Sequence, residues 1–278
     1  MISLRRVLRT FTAMSSIAVS VATGCGSGDH SGEVASPTSA APPIGWPPIL
    51  NDFSVVWTAE PGIDVTTWPA VVVRAYTESY LLVSITGDDK YLYPGFKQAV
   101  DPNKSIDDPT GTRFLWPKTD RKTEGPWVGT QQAHILSIAT SGRDVTVVAC
   151  EYLFGTAQAH GHGYTPNIAA PPPDSGIDPM RITMTAPTNP GPQLPAQQGP
   201  ARAPSIDVFG GWRITSHQGG YFAEYGLSSE WPDVATDTEQ CRAKAPQHPD
   251  LLRGGEYPRA DFPTQPASPG WPAPNAAS

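Results

Sequence analysis

The sequence predicts an α+β fold, with a long N-terminal helix and a short second helix packed on a curved antiparallel sheet, and with a disordered tether and C-terminal tail. Three observations carry this. TTWPAVVVRAYTESYLLVSITGDD, residues 66–89, repeats apolar residues at three- and four-residue spacing. Between 132 and 217 several segments alternate or run apolar at strand length, separated by turn residues. The 32 prolines concentrate at both ends and around 187–204, outside those segments.

The elements follow in order. Residues 46–66, with Trp46, Phe53, Val55, Val56 and Trp57, read as an extended lead-in with a short strand. The long helix is expected from Thr67 as N-cap, with Pro69 in the first turn, where a missing N–H costs nothing. Val72, Val73, Tyr76, Tyr80 and Val83 form one buried stripe and Gly87 stops the helix. Its β-branched residues give mediocre helix propensity, so packing must hold it. YLYPGFKQAV, 91–100, predicts the second helix, anchored by Tyr93 and Phe96. A polar loop, 101–112, then leads to RFLWP.

QAHILSIATSGRDVTVVACEYLF, 132–154, is the clearest hairpin, turning at Ser141-Gly142. In its second strand Thr146, Val148, Cys150, Tyr152 and Phe154 face one way and Val145, Val147 and Ala149 the other, so both faces should be covered. MRITMTAP points Met180, Ile182 and Met184 inward, and WRITSH repeats the pattern with Trp212 and Ile214. The Pro-rich stretch 187–204 between them should be a surface excursion. WPDVATDTEQCRAK predicts a last helix that could bring Cys241 to the strand holding Cys150. Beyond Pro246 the Pro-, Gly- and Ala-rich composition predicts disorder.

The domain boundaries expected are a leader at 1–24, a flexible tether at 25–48, one domain at 49–245 and the tail at 246–278. Arg5, Arg6 and Arg9 precede an uncharged run, Phe11 to Val21, too short to span a bilayer. The run ends in Ala22-Thr23-Gly24 before Cys25. This arrangement resembles the lipobox of bacterial lipoproteins, of actinobacterial type. Ala22 departs from it, standing where Leu or Val is commoner. The resemblance implies diacylglycerol transfer to the Cys25 thiol, cleavage after Gly24 and acylation of the new amine, which would hold the chain on the outer face of the cell membrane. Each buried methylene contributes about 0.8 kcal/mol, so two or three chains hold durably. The competing reading is a plain signal peptide with an incidental cysteine. Residues 26–48, rich in Gly, Ser, Ala and Pro, read as the tether.

Three cysteines occur. If Cys25 carries lipid, Cys150 and Cys241 make one disulfide in an exported protein; the alternative is two buried free thiols. Loss of Arg5, Arg6 and Arg9 with the leader leaves 16 of 19 basic residues against 26 acidic ones, a formal charge of −10, which argues against nucleic acid.

One long helix, a short one, then antiparallel strands resembles, over roughly 57–216, the cone-shaped fold of the nuclear transport factor two-like superfamily. That superfamily holds both enzymes and binding domains, so fold does not assign function. The resemblance implies a pocket between helix and sheet, where Tyr76, Tyr80, Tyr93, Phe96 and Trp212 could bind an apolar ligand; the plainer reading is that they fill the core.

Other candidates are weighed against bland readings. His160 and His162 in HGHGY could chelate a metal, but lack a clear third ligand, with Asp174 and Asp178 beyond a proline run. His134 and His217 could be general bases, or hydrogen-bonded strand histidines. Asp88-Asp89 reads as a solvated helix end. No nucleophile elbow or phosphate loop occurs, so no catalytic residue, cofactor or metal is assigned. The expectation is an exported, lipid-anchored, non-catalytic module that binds an apolar ligand or an envelope protein. The rivals are a pocket hydrolase or isomerase, and an envelope exclusion or structural protein.

Overall fold

The long strand of the hairpin organises the molecule. In the computed structural model, which describes residues 45–104, 112–120, 122–170, 172–223, 230–248 and 251–274, it runs as β2, Trp127–Ser141. The leader, Cys25 and most of the tether lie outside the described residues. β2 turns through Gly142, at φ 62°, into β3, Asp144–Tyr152, its antiparallel partner from Ser141↔Asp144 to Gln132↔Tyr152. The chain then continues along the same edge of β2 as β4, Thr156–His160, and folds back as β5, Gly163–Pro166. β6, Ile177–Thr185, pairs with β3, and β7, Arg213–Gly219, pairs with β6. Register shifts at Ile135/Ser137 and Thr183/Met184 bend two of these ladders. The antiparallel sheet curls into a half-barrel.

The lead-in strand is β1, Phe53–Ala59. It joins the free edge of β2 in parallel, from Phe53↔Gly129 to Ala59↔Ile135. The alternation of single segments predicts a strand here but carries no information on its direction or partner.

Both faces of the sheet are covered, as the doubly apolar β3 predicts. On one face Val145, Val147, Ala149, Met180, Ile182, Met184 and Ile214 pack under α1, Ala70–Thr86. On the other, Val148, Cys150, Tyr152 and Phe154 join Trp231, Phe262 and α3, Val234–Lys244. The Cys150–Cys241 disulfide crosses this second layer, with Cα atoms 5.4 Å apart. The Tyr152 hydroxyl donates to the Cys241 carbonyl beside it, at 2.9 Å.

α1 departs from the expected single stripe. Apart from Ser84, every residue in it is buried, Arg74 and Glu78 included. The helix starts at Ala70, with Pro69 rather than Thr67 at the cap position. It ends as expected, where Gly87 adopts φ 65° and donates to the Val83 carbonyl at 2.8 Å. The second helix, α2, is a single turn, Phe96–Ala99.

The expected disordered tail is corrected. Residues 251–274 lie against the domain and complete its core, with Leu251, Phe262 and Trp271 buried. Ser268 bridges to Val56 on β1, and Trp271 exchanges both backbone hydrogen bonds with Ala201. The Pro-rich excursion is likewise pinned, because the buried Gln197 donates its N–H to the Thr66 carbonyl at 2.7 Å. Low average hydrophobicity hid both attachments. A few large side chains and backbone bonds hold segments whose composition alone would leave them free. Among the described residues no helix is long and apolar enough to cross a membrane.

Candidate functional site

The register of β3 on β6 places Glu151 opposite Asp178. Both are only 6 % exposed. They share the helix-facing side of the sheet with Ala149 and Met180, two residues along each strand. Burial pushes the Glu151 carboxyl up to about 7, and the Asp178 charge adds to this; the Tyr221 N–H and the Gln131 amide, both donors to Glu151, pull the other way. The donor distances are 2.9 Å from Tyr221 N to Oε2 and 3.1 Å from Gln131 Nε2 to Oε1.

His217 approaches the same place from β7. A Cβ added at Gly220 would fall 2.9 Å from Glu151 Oε2 and 3.8 Å from His217 Nε2, so the two side chains border one point and glycine keeps it open. Gly220 also needs φ 74°, which glycine adopts without strain. His217 Nδ1 lies 2.9 Å from the Tyr76 hydroxyl, which donates to the Leu115 carbonyl at 2.9 Å. Burial lowers the imidazole to about 4, against a smaller opposing pull from backbone groups at Phe114 and Gly219, so it is neutral at physiological pH. The ring of Tyr80 meets His217 edge-on at 4.9 Å, and its hydroxyl is held protonated by burial and then by the Glu151 charge. A carboxyl that titrates near neutrality beside a neutral imidazole can take up or release a proton. Here both carboxyl oxygens are engaged by the protein.

Tyr221 links this interior to the surface. Its backbone holds Glu151, while Tyr221 and Phe222 form one wall of a groove of about 1120 Å³. Phe222 stacks on Trp127 at 5.9 Å, and Tyr221 meets Phe222 edge-on at 4.8 Å. β4 and β5 supply Gln158 and Thr165, and the end of β5 with the turn after it supplies the buried Pro166, Asn167 and Ile168. Lys118, Lys122, Glu124, His160 and Arg253 stand around it, exposed.

The aromatic set expected to line a pocket is buried as core, and it splits. Tyr76 stacks on Phe96 at 5.7 Å and touches Tyr80 and His217. Tyr93 lies elsewhere, against Trp271 and Glu78. Trp212, half-buried, precedes β7. None of the five lines the groove. Hydrogen bonds inside the core take up the Tyr76 and Tyr93 hydroxyls, which removes the polar handle a ligand would use.

His160 and His162 flank Gly161 at the tip of the β4–β5 hairpin, and among the described residues no group of three His, Cys, Asp or Glu could hold a metal ion. His134 lies 2.8 Å from the Thr58 hydroxyl and 3.1 Å from Glu60. Asp88 accepts from the Lys90 N–H and pairs with its ammonium, and Asp89 pairs with Lys97. Sequence reasoning passed over Glu151 because pairing across β3 and β6 is invisible locally. The one available signal was a Glu inside an apolar strand. The groove, built from five separate segments, left none.

Compared with known proteins, the chain matches no family model, no curated protein and no solved structure.

Proposed function

We propose that this chain is an exported lipoprotein, held on the outer face of the cell membrane through Cys25, and that its domain is a non-catalytic binding module. The observation that carries the reading is the disulfide. Cys150 and Cys241 are joined in the core, a state that persists in oxidising compartments, and their union leaves Cys25 as the one remaining cysteine of three. That cysteine follows the small-residue run described above. The anchoring step supplies no ligand; the open groove, and not the sealed aromatic core, is the surface that supports a binding role. The likeness to the cone-shaped superfamily rests on α1 lying against a curled antiparallel sheet.

The test is fractionation with mass analysis. The wild-type chain, expressed in a bacterial host, should partition with membranes and carry a lipid-modified N-terminal Cys25. Cys25→Ala should release it or leave the precursor unprocessed. An unmodified mature N-terminus at another residue ends the proposal.

A second reading, a pocket hydrolase or isomerase, is favoured by the facing Glu151 and Asp178 next to His217. It requires Tyr221 and Phe222 to give a substrate access to Glu151. A reproducible turnover abolished by Glu151→Gln would replace the binding reading with this one.

A further inference from the structure

The chain is acidic overall, with a formal charge of −7, yet the residues lining the groove include Lys118, Lys122 and Arg253 against one carboxylate, Glu124, with a second, Glu256, beside the groove-lining Gly161. No ion pair among the described residues engages these three cations. Lys118 lies 5.6 Å from the Phe114 ring, Arg253 reaches the Ala169 carbonyl at 3.5 Å, and Lys122 acts on Asp88 only at longer range. Unneutralised cations around a concavity attract anions and focus the field into it.

The interior is neither an apolar slot nor a bare charged surface. Tyr221 and Phe222 give it an aromatic wall braced by Trp127, and Gln158 and Thr165 give it an amide and a hydroxyl group, which both donate and accept. A lipid tail would leave apolar surface in water in so open and polar a cleft. A row of sugar hydroxyls has the donors and acceptors to match such a wall, and the apolar faces of the rings match the aromatics. The volume, about 1120 Å³, exceeds the roughly 300–1,000 Å³ of small-molecule sites, which suits several linked units. Nucleic acid also combines anions with stacking bases, and a single-stranded oligonucleotide is therefore one of the probes that test the assignment below.

The geometry points to an anionic oligosaccharide as the ligand of this groove: Lys118, Lys122 and Arg253 take its carboxylate or sulfate groups, and Tyr221, Phe222 and the polar wall take its rings and hydroxyls. This deepens the binding-module reading and is independent of the anchor.

The experiment measures equilibrium binding to the full chain carrying Cys25→Ala, so that a failure of lipidation leaves the result untouched. The probes are an oligogalacturonate, a neutral maltooligosaccharide of equal length, a single-stranded thymidine oligonucleotide and phosphatidylglycerol vesicles. The oligogalacturonate should bind, and its affinity should fall about tenfold between low and about 0.3 M salt. Lys118→Glu with Lys122→Glu should weaken it a further tenfold or so at low salt, and Glu124→Lys should tighten it. These residues are exposed, so the melting temperature should not move. Equal binding of the neutral sugar, tighter binding of the oligonucleotide, retention by vesicles alone, or no binding of any probe overturns the proposal. Binding that the double charge reversal leaves unchanged overturns it too.

Discussion

The guanidinium of Arg74 lies 4.4 Å over the indole ring of Trp271, in the interior of the domain. Arg74 donates to the carbonyls of Val65, Gln197 and Gly270, at 2.8, 3.1 and 2.7 Å. One turn further along α1, Glu78 accepts from Trp57, Trp271 and Tyr93, at 2.9, 2.7 and 3.0 Å. A charge taken out of water is costly unless it is paired and hydrogen-bonded; both terminal nitrogens of Arg74 are bonded, while its Nε has no hydrogen-bond partner and lies 4.0 Å from Glu78 Oε1. Here the partners come from β1, from the Pro-rich excursion and from the C-terminal segment. With Val65 before α1 and Tyr93 after it, the pair fastens five stretches of chain to one helix.

Removing one member leaves the other buried without its partner. Arg74→Ala should destabilise the domain by about 3–5 kcal/mol, read as a shift in the urea midpoint. Arg74→Met with Glu78→Leu should cost clearly less than the sum of the single changes, because it leaves no uncompensated charge. Additive losses would show that the two residues do not act together.

Trp271→Ala removes an anchor that is 1 % exposed and a donor to Glu78. A loss of about 3–5 kcal/mol is expected. Limited proteolysis should then cut between residues 251 and 274 in the variant and spare that segment in the wild type. Equal cleavage of both would mean that the segment is not held.

Cys150–Cys241 closes a loop with a sequence separation of 91, for which the loop-entropy model gives about 4–5 kcal/mol. Non-reducing peptide mapping should recover the cross-linked pair. Cys150→Ala, Cys241→Ala and reduction should each lower the unfolding midpoint by a similar amount. Full alkylation of both thiols in the native, unreduced protein would rule the bridge out.

The raised carboxyl of Glu151 makes stability depend on pH in a defined direction. Its unfolded value is about 4.3, whereas the folded one is about 7, so the folded state binds more protons between them. The Glu151 contribution to stability should fall as pH rises through that window, by roughly 4 kcal/mol in all, and level off above it; His217, lowered to about 4 when folded, contributes in the opposite direction between there and about 6.5, so the net fall is confined to the upper part of the window. In melting temperatures measured from pH 4.5 to 8, Glu151→Gln should remove the descent between about pH 6 and 7 and leave the rise below it that His217 supplies. Asp178→Asn, which removes the facing charge, should shift the descent to lower pH. An unchanged profile in Glu151→Gln would assign the dependence to another group.

Legibility in the sequence followed the range of the interactions. The hairpin through Gly142, the two faces of β3 and the Gly87 stop are local, and the sequence predicts each. The Cys150–Cys241 bridge was legible by counting, because the reading that assigns Cys25 a lipid left one pair. Parallel pairing of β1, the Glu151–Asp178 contact and the packing of Phe262 and Trp271 depend on residues brought together only by the finished fold. Their local sequence is ordinary or, in the tail, misleading. Hydrophobic size marks a core residue and a pocket residue alike, so the sequence does not separate the two roles for Tyr76, Tyr80, Tyr93 and Phe96, which lie in the core.

Val56 and Ser268 meet at the edge of β1, next to the contacts that seat Trp271 beside Arg74. A ribosome makes the chain from its N-terminus, so α1 emerges long before the segment that covers it. Until that segment arrives, Arg74 and Glu78 have no interior to occupy, and the helix around them has poor propensity of its own. The native state is therefore out of reach of a nascent chain still short of residue 271. Such a chain stays loose while it is being made, which is the condition in which a polypeptide can be threaded through a narrow channel.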